Sequence, residues 1–202
     1  MSLSILQDAR LYALLHHFDL DLAQAARASG CAYCGAVLHS ARYPRKPRGG
    51  PAQLDPSHAF RFSFCCAREG CRRRRTPPSV RFLGRRVYFG AVMVLVSALR
   101  DGLSARRVAA LRERLGVDIR TLRRWRRWWR ERFVGSPFWK AARGRFAPPL
   151  DERRLPASLL ERFAERDRRQ RILQVLAFLA PLSTVLPNLA SQGSLPIRRR
   201  CT

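Results

Sequence analysis

GLSARRVAALRERLGVDIRTLRRWRRWW, residues 102 to 129, decides what kind of molecule this chain encodes. Val108, Leu111 and Leu115 recur at helical spacing, which predicts a helix over residues 104 to 116. Ser104 can cap its first turn and Gly116 can end it. Val117 then packs inward, and Asp118 can cap a further helix over residues 119 to 133. On that helix Ile119, Leu122, Trp125, Trp129 and Phe133 follow one another at steps of 3, 3, 4 and 4, so they share one face. The opposite face carries Arg120, Arg124 and Arg127, flanked by Thr121, Arg123, Trp128 and Arg130. Two helices joined by a tight turn, the second with a basic free face, form the pattern of a helix-turn-helix. A major groove accepts one such helix, with residues near its N-terminus reaching base edges. Arg120, Thr121 and Arg124 are the candidate base readers, and Arg127 and Arg130 the candidate phosphate contacts. The bland alternative is a three-helix bundle with a solvated basic face.

Charge points the same way. Lys plus Arg number 40 against 14 Asp plus Glu, a formal net charge of +26. Such an excess repels itself unless an anionic partner neutralises it, which leaves nucleic acid and anionic membrane as the main classes. Only Lys46 and Lys140 are lysines. Arginine forks onto phosphates and guanine edges, although GC-rich codon usage also enriches it. Arg72, Arg73, Arg74 and Arg75 form one run, and Arg45, Lys46 and Arg48 lie in RYPRKPR; both stretches are candidate phosphate contacts.

The cysteines fall into two groups. CAYCG, residues 31 to 35, offers Cys31-x2-Cys34, and FCCAREGC, residues 64 to 71, offers Cys66-x4-Cys71. Structural zinc takes four tetrahedral ligands, commonly from two short pairs. Cys31, Cys34, Cys66 and Cys71 are therefore the expected ligands, with Gly35 and Gly70 allowing the turns. Cys65-x5-Cys71 exceeds the usual spacing. Phe60, Phe62 and Phe64 alternate with Arg61 and Ser63, and a continuous strand puts Cys66 on the phenylalanine face. Cys65 is the odd one out, a buried filler or spare thiol. His39 and His58 are alternative ligands. Unliganded buried cysteines are the plain alternative to a metal site, and a redox pair would need a helix N-terminus that nothing here supplies. Four thiolates leave no open position for a substrate, so the metal is expected to be structural.

The run CAYCG, FRFSFCC, CRRRRTPP resembles the zinc ribbons at the N-terminal ends of bacterial insertion-sequence transposases. GLS, LGV and TLRRW, at 102 to 104, 115 to 117 and 121 to 125, resemble the helix-turn-helix segments of transposases and resolvases. The resemblance spans residues 31 to about 133 and departs from the pattern at the insertion 43 to 56 and the doubled Cys65-Cys66. It implies a zinc ribbon, a duplex DNA partner and a separate transposase or recombinase to be recruited.

The expected fold is mainly α with a small β zinc ribbon, a helix-turn-helix and a helical C-terminal extension. Residues 1 to 30 read as one or two short helices, with apolar positions from Leu3 to Leu22 and a stop at Gly30. Residues 31 to 83 form the ribbon, with strands over 36 to 43 and 59 to 66, a loop over 43 to 56, and a turn leading to a short strand over 76 to 82. Residues 84 to 135 hold the helix-turn-helix, preceded by a helix over 85 to 100 that Asp101-Gly102 ends. Residues 136 to 155 are a linker, 156 to 190 are helices with breaks at Pro181 and Pro187, and 191 to 202 are a mobile tail.

The apolar stretch 172 to 190 is interrupted by Gln174, Ser183, Thr184, Asn188 and two prolines. It is expected to pack on the helix-turn-helix or to form a dimer or complex interface rather than to span a membrane. The N-terminus lacks the basic start and apolar run of a signal peptide, which predicts a bacterial cytoplasmic, nucleoid-associated location. Asp151 and Glu152 lie in the linker, and Glu161, Glu165 and Asp167 are spaced to pair with Arg162, Arg166 and Arg169. No carboxylate set, Ser/His/Asp grouping or phosphate loop stands out, so the chain is expected not to be an enzyme. The expected function is DNA binding within a mobile genetic element. The alternatives are a structural RNA-binding protein of a ribonucleoprotein complex and a fragment whose catalytic half is encoded elsewhere.

Overall fold

The computed structural model describes residues 3–84, 86–99, 104–163 and 165–184. The fold is mainly helical with a small antiparallel sheet. A short 3-10 turn, Ser4–Gln7, leads into α1, Ala9–Ala28, a single 20-residue helix where the sequence suggested shorter pieces. Asp8 caps it by accepting from the Arg10 backbone N–H at 2.9 Å. Leu11, Tyr12, Leu15, Asp19, Ala23 and Ala26 recur at helical spacing and are its buried face.

The strands are β1 (Leu38–Ser40), β2 (Tyr43–Pro44), β3 (Phe60–Arg61), β4 (Phe64–Cys66) and β5 (Arg74–Arg75). One sheet has the order β1-β4-β5, and β2 pairs with β3 in a second; all pairings are antiparallel. The continuous strand expected over 59 to 66 is broken between β3 and β4. The break turns Arg61 and Ser63 inward, at 2% and 1% exposure, where simple alternation would have left them on a polar face. Arg61 Nη2 donates to the Pro77 carbonyl at 2.6 Å and to Ser183 Oγ at 3.3 Å. No strand forms over 80 to 82. That segment is pinned instead by buried Asp19. Its carboxylate accepts from Ser79 Oγ at 2.6 Å and from the Val80 N–H at 2.7 Å, and it pairs with Arg81 Nε at 2.8 Å.

The next helix, α2, is Gly90–Ser97, buried on every side and shorter than expected. The chain just before it is extended because Val87 and Phe89 exchange backbone hydrogen bonds with Arg48. The outer ends of the expected helix, Arg85 and Arg100, and its stop at Asp101-Gly102 lie outside the described residues. Next come α3, Ala105–Leu115, and α4, Ile119–Arg127, which continues as a π-helix over Trp128–Phe133. The expected caps form: Ser104 Oγ accepts from Arg107 N–H at 3.3 Å, and Asp118 Oδ1 from Thr121 N–H at 2.8 Å. Gly116 sits at φ +63°, the left-handed conformation that glycine adopts without strain.

The expected linker is packed structure. Pro137–Ala142 forms α5, which buries Trp139 against Phe133, ring centroids 5.0 Å apart. Trp139 Nε1 donates to Glu152 Oε1 at 2.7 Å, tying α5 to the chain beyond it. The last helices are α6, Ala157–Arg162, and α7, Arg168–Leu179. Ile172, Leu173, Val175, Leu176 and Leu179 of α7 are spent inside the molecule, against α1, α2 and α6. The part of the suggested dimer surface that falls on 172 to 184 is thus mostly interior; the rest, and the tail, lie outside the described residues. No described helix is long and apolar enough to cross a membrane.

The main core runs from Ile5 through α2, α3, α4 and α7 to Ala180. A second, smaller core gathers Ala23, Ala26, Cys31, Leu38, Phe64 and Cys66.

Candidate metal centre and arginine face

Two tight turns bring four cysteines together. The Gly35 N–H donates to the Cys31 carbonyl at 2.8 Å, and the Cys31 N–H to the Ala36 carbonyl at 2.9 Å, folding CAYCG back on itself. Register pairs Leu38 with Cys66, and the Cys71 N–H closes the other turn on the Arg68 carbonyl at 3.2 Å. The sulfur atoms of Cys31, Cys34, Cys66 and Cys71 all lie within 4.8 Å of one another, and the group could hold a metal ion. Cys31 Sγ is 3.8 Å from Cys71 Sγ, and Cys34 Sγ is 3.4 Å from Cys66 Sγ. Four thiolates about 2.3 Å from a tetrahedral ion define edges of about 3.8 Å, so the donors fit. Backbone N–H bonds, chiefly that of Tyr33, lower the Cys31 thiol to about 6, whereas burial pushes Cys66 up to about 12. Ion binding would remove the protons from all four.

The remaining candidates stand elsewhere. Cys65 projects to the other side of β4 and is engaged in a disulfide, so it is not the spare thiol that the sequence suggested. His39 is exposed and pairs in register with Cys65. His58 Nδ1 lies 3.1 Å from the Asp55 carbonyl, and its ring is 4.8 Å from that of His16. Neither histidine joins the four thiols.

The arginine runs beside the cysteines divide by role. Arg75 donates to the Gly30 carbonyl, bracing the end of α1, and Arg74 Nη1 donates to the Ala41 carbonyl at 3.1 Å. Arg73 stacks on Tyr33, 3.7 Å from the ring centroid, and Arg72 is exposed at φ +42°. Arg45 donates to the Arg86 carbonyl at 2.7 Å and the Gly84 carbonyl at 3.3 Å, so it is a strut. Lys46 and Arg48 are exposed.

On α4 the two faces separate cleanly. Leu122, Trp125 and, beyond them, Trp129 and Phe133 are buried; Arg120, Arg123, Arg124, Arg127 and Arg130 are exposed. Among the described residues no carboxylate pairs with Arg120, Arg123 or Arg124, and Arg127 meets Glu131 only at 4.0 Å. Thr121 departs from expectation. It is 8% exposed and its hydroxyl lies 3.5 Å from Asp118 Oδ2, so it belongs to the cap and not to the free face. Sequence reading also passed over Arg86. Its guanidinium lies 4.3 Å from the Trp128 ring centroid, one turn from Arg124 on the same helix face. Burial, reinforced by the Arg124 charge, lowers it to about 10. Nothing in the sequence signalled it, because Arg86 and Trp128 meet only in the tertiary fold.

Comparison with known families, curated proteins and solved structures finds no match for this chain.

Proposed function

We propose that this protein binds duplex DNA as an accessory or regulatory factor of a mobile genetic element. In this reading α3 and α4 form a helix-turn-helix, and the four cysteines hold a structural zinc ion in a ribbon beside it. One observation carries the reading: α4 buries its aromatic face and presents Arg120, Arg123 and Arg124, with no carboxylate among the described residues paired to them. A helix so held can enter a major groove, where an arginine reads guanine through two hydrogen bonds. Arg127, Arg130 and Arg86 would meet phosphates alongside. Catalysis is left to a separate transposase or recombinase. The acids weighed for it are engaged in the fold: Asp151 caps a turn, Glu152 binds Trp139, and Glu161 pairs with Arg154 at 2.7 Å.

A second reading, structural RNA binding in a ribonucleoprotein, draws on Tyr33. That ring is 68% exposed and already stacked on Arg73, a platform that an unpaired base could extend. Titration of duplex DNA against structured RNA at fixed salt separates the two. Duplex should bind more tightly, with log K falling against log salt more steeply than about −5. Preference for RNA would hand the function to the second reading, and a slope shallower than about −2 would mean that the charge serves another partner.

A further inference from the structure

The loop over residues 43 to 56 carries Lys46 and Arg48 and is fastened to the segment that enters α2. The Arg48 N–H donates to the Val87 carbonyl at 2.8 Å, and the Phe89 N–H to the Arg48 carbonyl at 3.2 Å, so Arg48 and Tyr88 pair in a parallel bridge. Just beyond, Gly49 sits at φ +84° against Val92 of α2. A Cβ there would lie 2.9 Å from a Val92 methyl, so glycine lets the loop seat. Arg45 adds its bonds to the Gly84 and Arg86 carbonyls. Lys46 and Arg48 are exposed and Arg45 and Pro47 half-buried, the alternation of an extended chain. Two cations therefore face out on one side of a fixed backbone. Among the described residues no carboxylate pairs with either.

That side is the one toward α4. Residues paired across a bridge project to the same side of it. Tyr88 reaches the α3–α4 unit: its ring stands edge-on to Trp125 at 5.0 Å, and its hydroxyl donates to the Gly116 carbonyl. Arg86, two residues earlier, lies on Trp128. We infer that Lys46 and Arg48 form a second grip on the same duplex, holding backbone phosphates that flank the groove α4 enters. The inference rests on the reading of α4 as a groove-binding helix and extends its footprint. The occupant follows from chemistry. Two residues of extended chain span about 6.6 Å, so the cations are spread along a line, which suits a polyanion with charges in sequence rather than one small anion. The backbone is already fixed, so little ordering entropy is lost on contact. The insertion that departs from the zinc-ribbon pattern thus serves the neighbouring helices.

The test is hydroxyl-radical footprinting of the full chain on a duplex selected from a random pool, with affinities measured at two salt concentrations. The parent should protect a central block and a separate flanking block. Lys46→Gln with Arg48→Gln, both at exposed positions, should erase the flanking block and lower the salt slope by up to about 2 units, one for each lost contact. The central block and its base preference should persist. On a duplex trimmed to the central block, this double variant and the parent should bind alike. Gly49→Ala keeps the charge and should unseat the loop, so it too should lose the flanking block; if it fails to fold, the double variant decides alone. The inference is overturned if the parent shows no flanking block, if the double variant weakens the trimmed duplex as much as the full one, which would mean diffuse charge, or if a folded Gly49→Ala retains the block. Those results leave α4 as a recognition helix. If Arg120→Ala and Arg124→Ala keep the parent's base preference, the reading of α4 falls, and this inference with it.

Discussion

Arginines in the cysteine-bearing segment and arginines on α4 look alike in sequence and are used in opposite ways. Between residues 31 and 83, Arg61 and Arg81 are buried, and Arg45 and Arg75 are turned onto backbone carbonyls. That segment has too few strands to satisfy its own backbone, so guanidiniums with five donors each serve as cross-braces. On α4 the helix satisfies its own backbone, and Arg120, Arg123, Arg124 and Arg127 are left facing solvent, Arg126 alone turning onto the Leu99 carbonyl. The difference is that a chain with little regular structure spends cations on itself, whereas a regular helix can offer them to a partner.

Metal removal should make the largest break in this contrast. Structural zinc supplies on the order of 10 kcal/mol to small domains. Cys66→Ser, or a strong chelator, should therefore unfold the braced segment, read as loss of bound metal together with collapse of the thermal transition. Retention of metal by Cys66→Ser with loss in Cys65→Ser would reverse the ligand assignment. Next in size is Asp19→Asn. It leaves Arg81 buried without its carboxylate and should cost about 3–5 kcal/mol, with little dependence on salt. A denaturant midpoint close to the parent's would show that Arg81 is not a brace.

Arg124→Ala should behave in the opposite sense. Stability should change by less than about 0.5 kcal/mol, as at an exposed position. Discrimination between a selected duplex and a one-base variant should fall by about 1–3 kcal/mol. Equal weakening on selected and random duplex, for both Arg120→Ala and Arg124→Ala, would remove α4 as a recognition helix. The smallest effect belongs to Arg73→Ala, which should weaken all duplexes alike and lower the salt slope by roughly one unit. A change in base preference there would blur the line between the two arginine classes.

Local signals were the legible ones. Ser104, Gly116 and Asp118 act on residues within one turn, and the apolar steps from Leu122 to Phe133 need only helical geometry. The choice of Cys66 over Cys65 followed from spacing and alternation. What sequence hid depends on distant chain. The Asp19–Arg81 pair joins residues 62 apart, and only the tertiary fold makes that aspartate the partner. Arg61 points inward because carbonyls at Pro77 and Pro78 wait for it. Thr121 is covered because Asp118 draws it into the cap. Residues 136 to 155 read as a linker from their prolines and glycines, yet Trp139 finds Phe133 and Glu152 and makes the stretch part of the core.

The length of α1 has a consequence for how the molecule comes apart. Twenty residues of helix extend about 30 Å. Leu11 and Leu15 lie in the main core, and Ala23 and Ala26 lie in the core around the cysteines. One rigid rod is thus shared by both. Fraying of its C-terminal half removes hydrogen bonds from the turns just before it, and so loosens the rest of the rod. The two cores are therefore expected to melt together, as a single cooperative unit, and hydrogen exchange along α1 should slow throughout its length when metal is added.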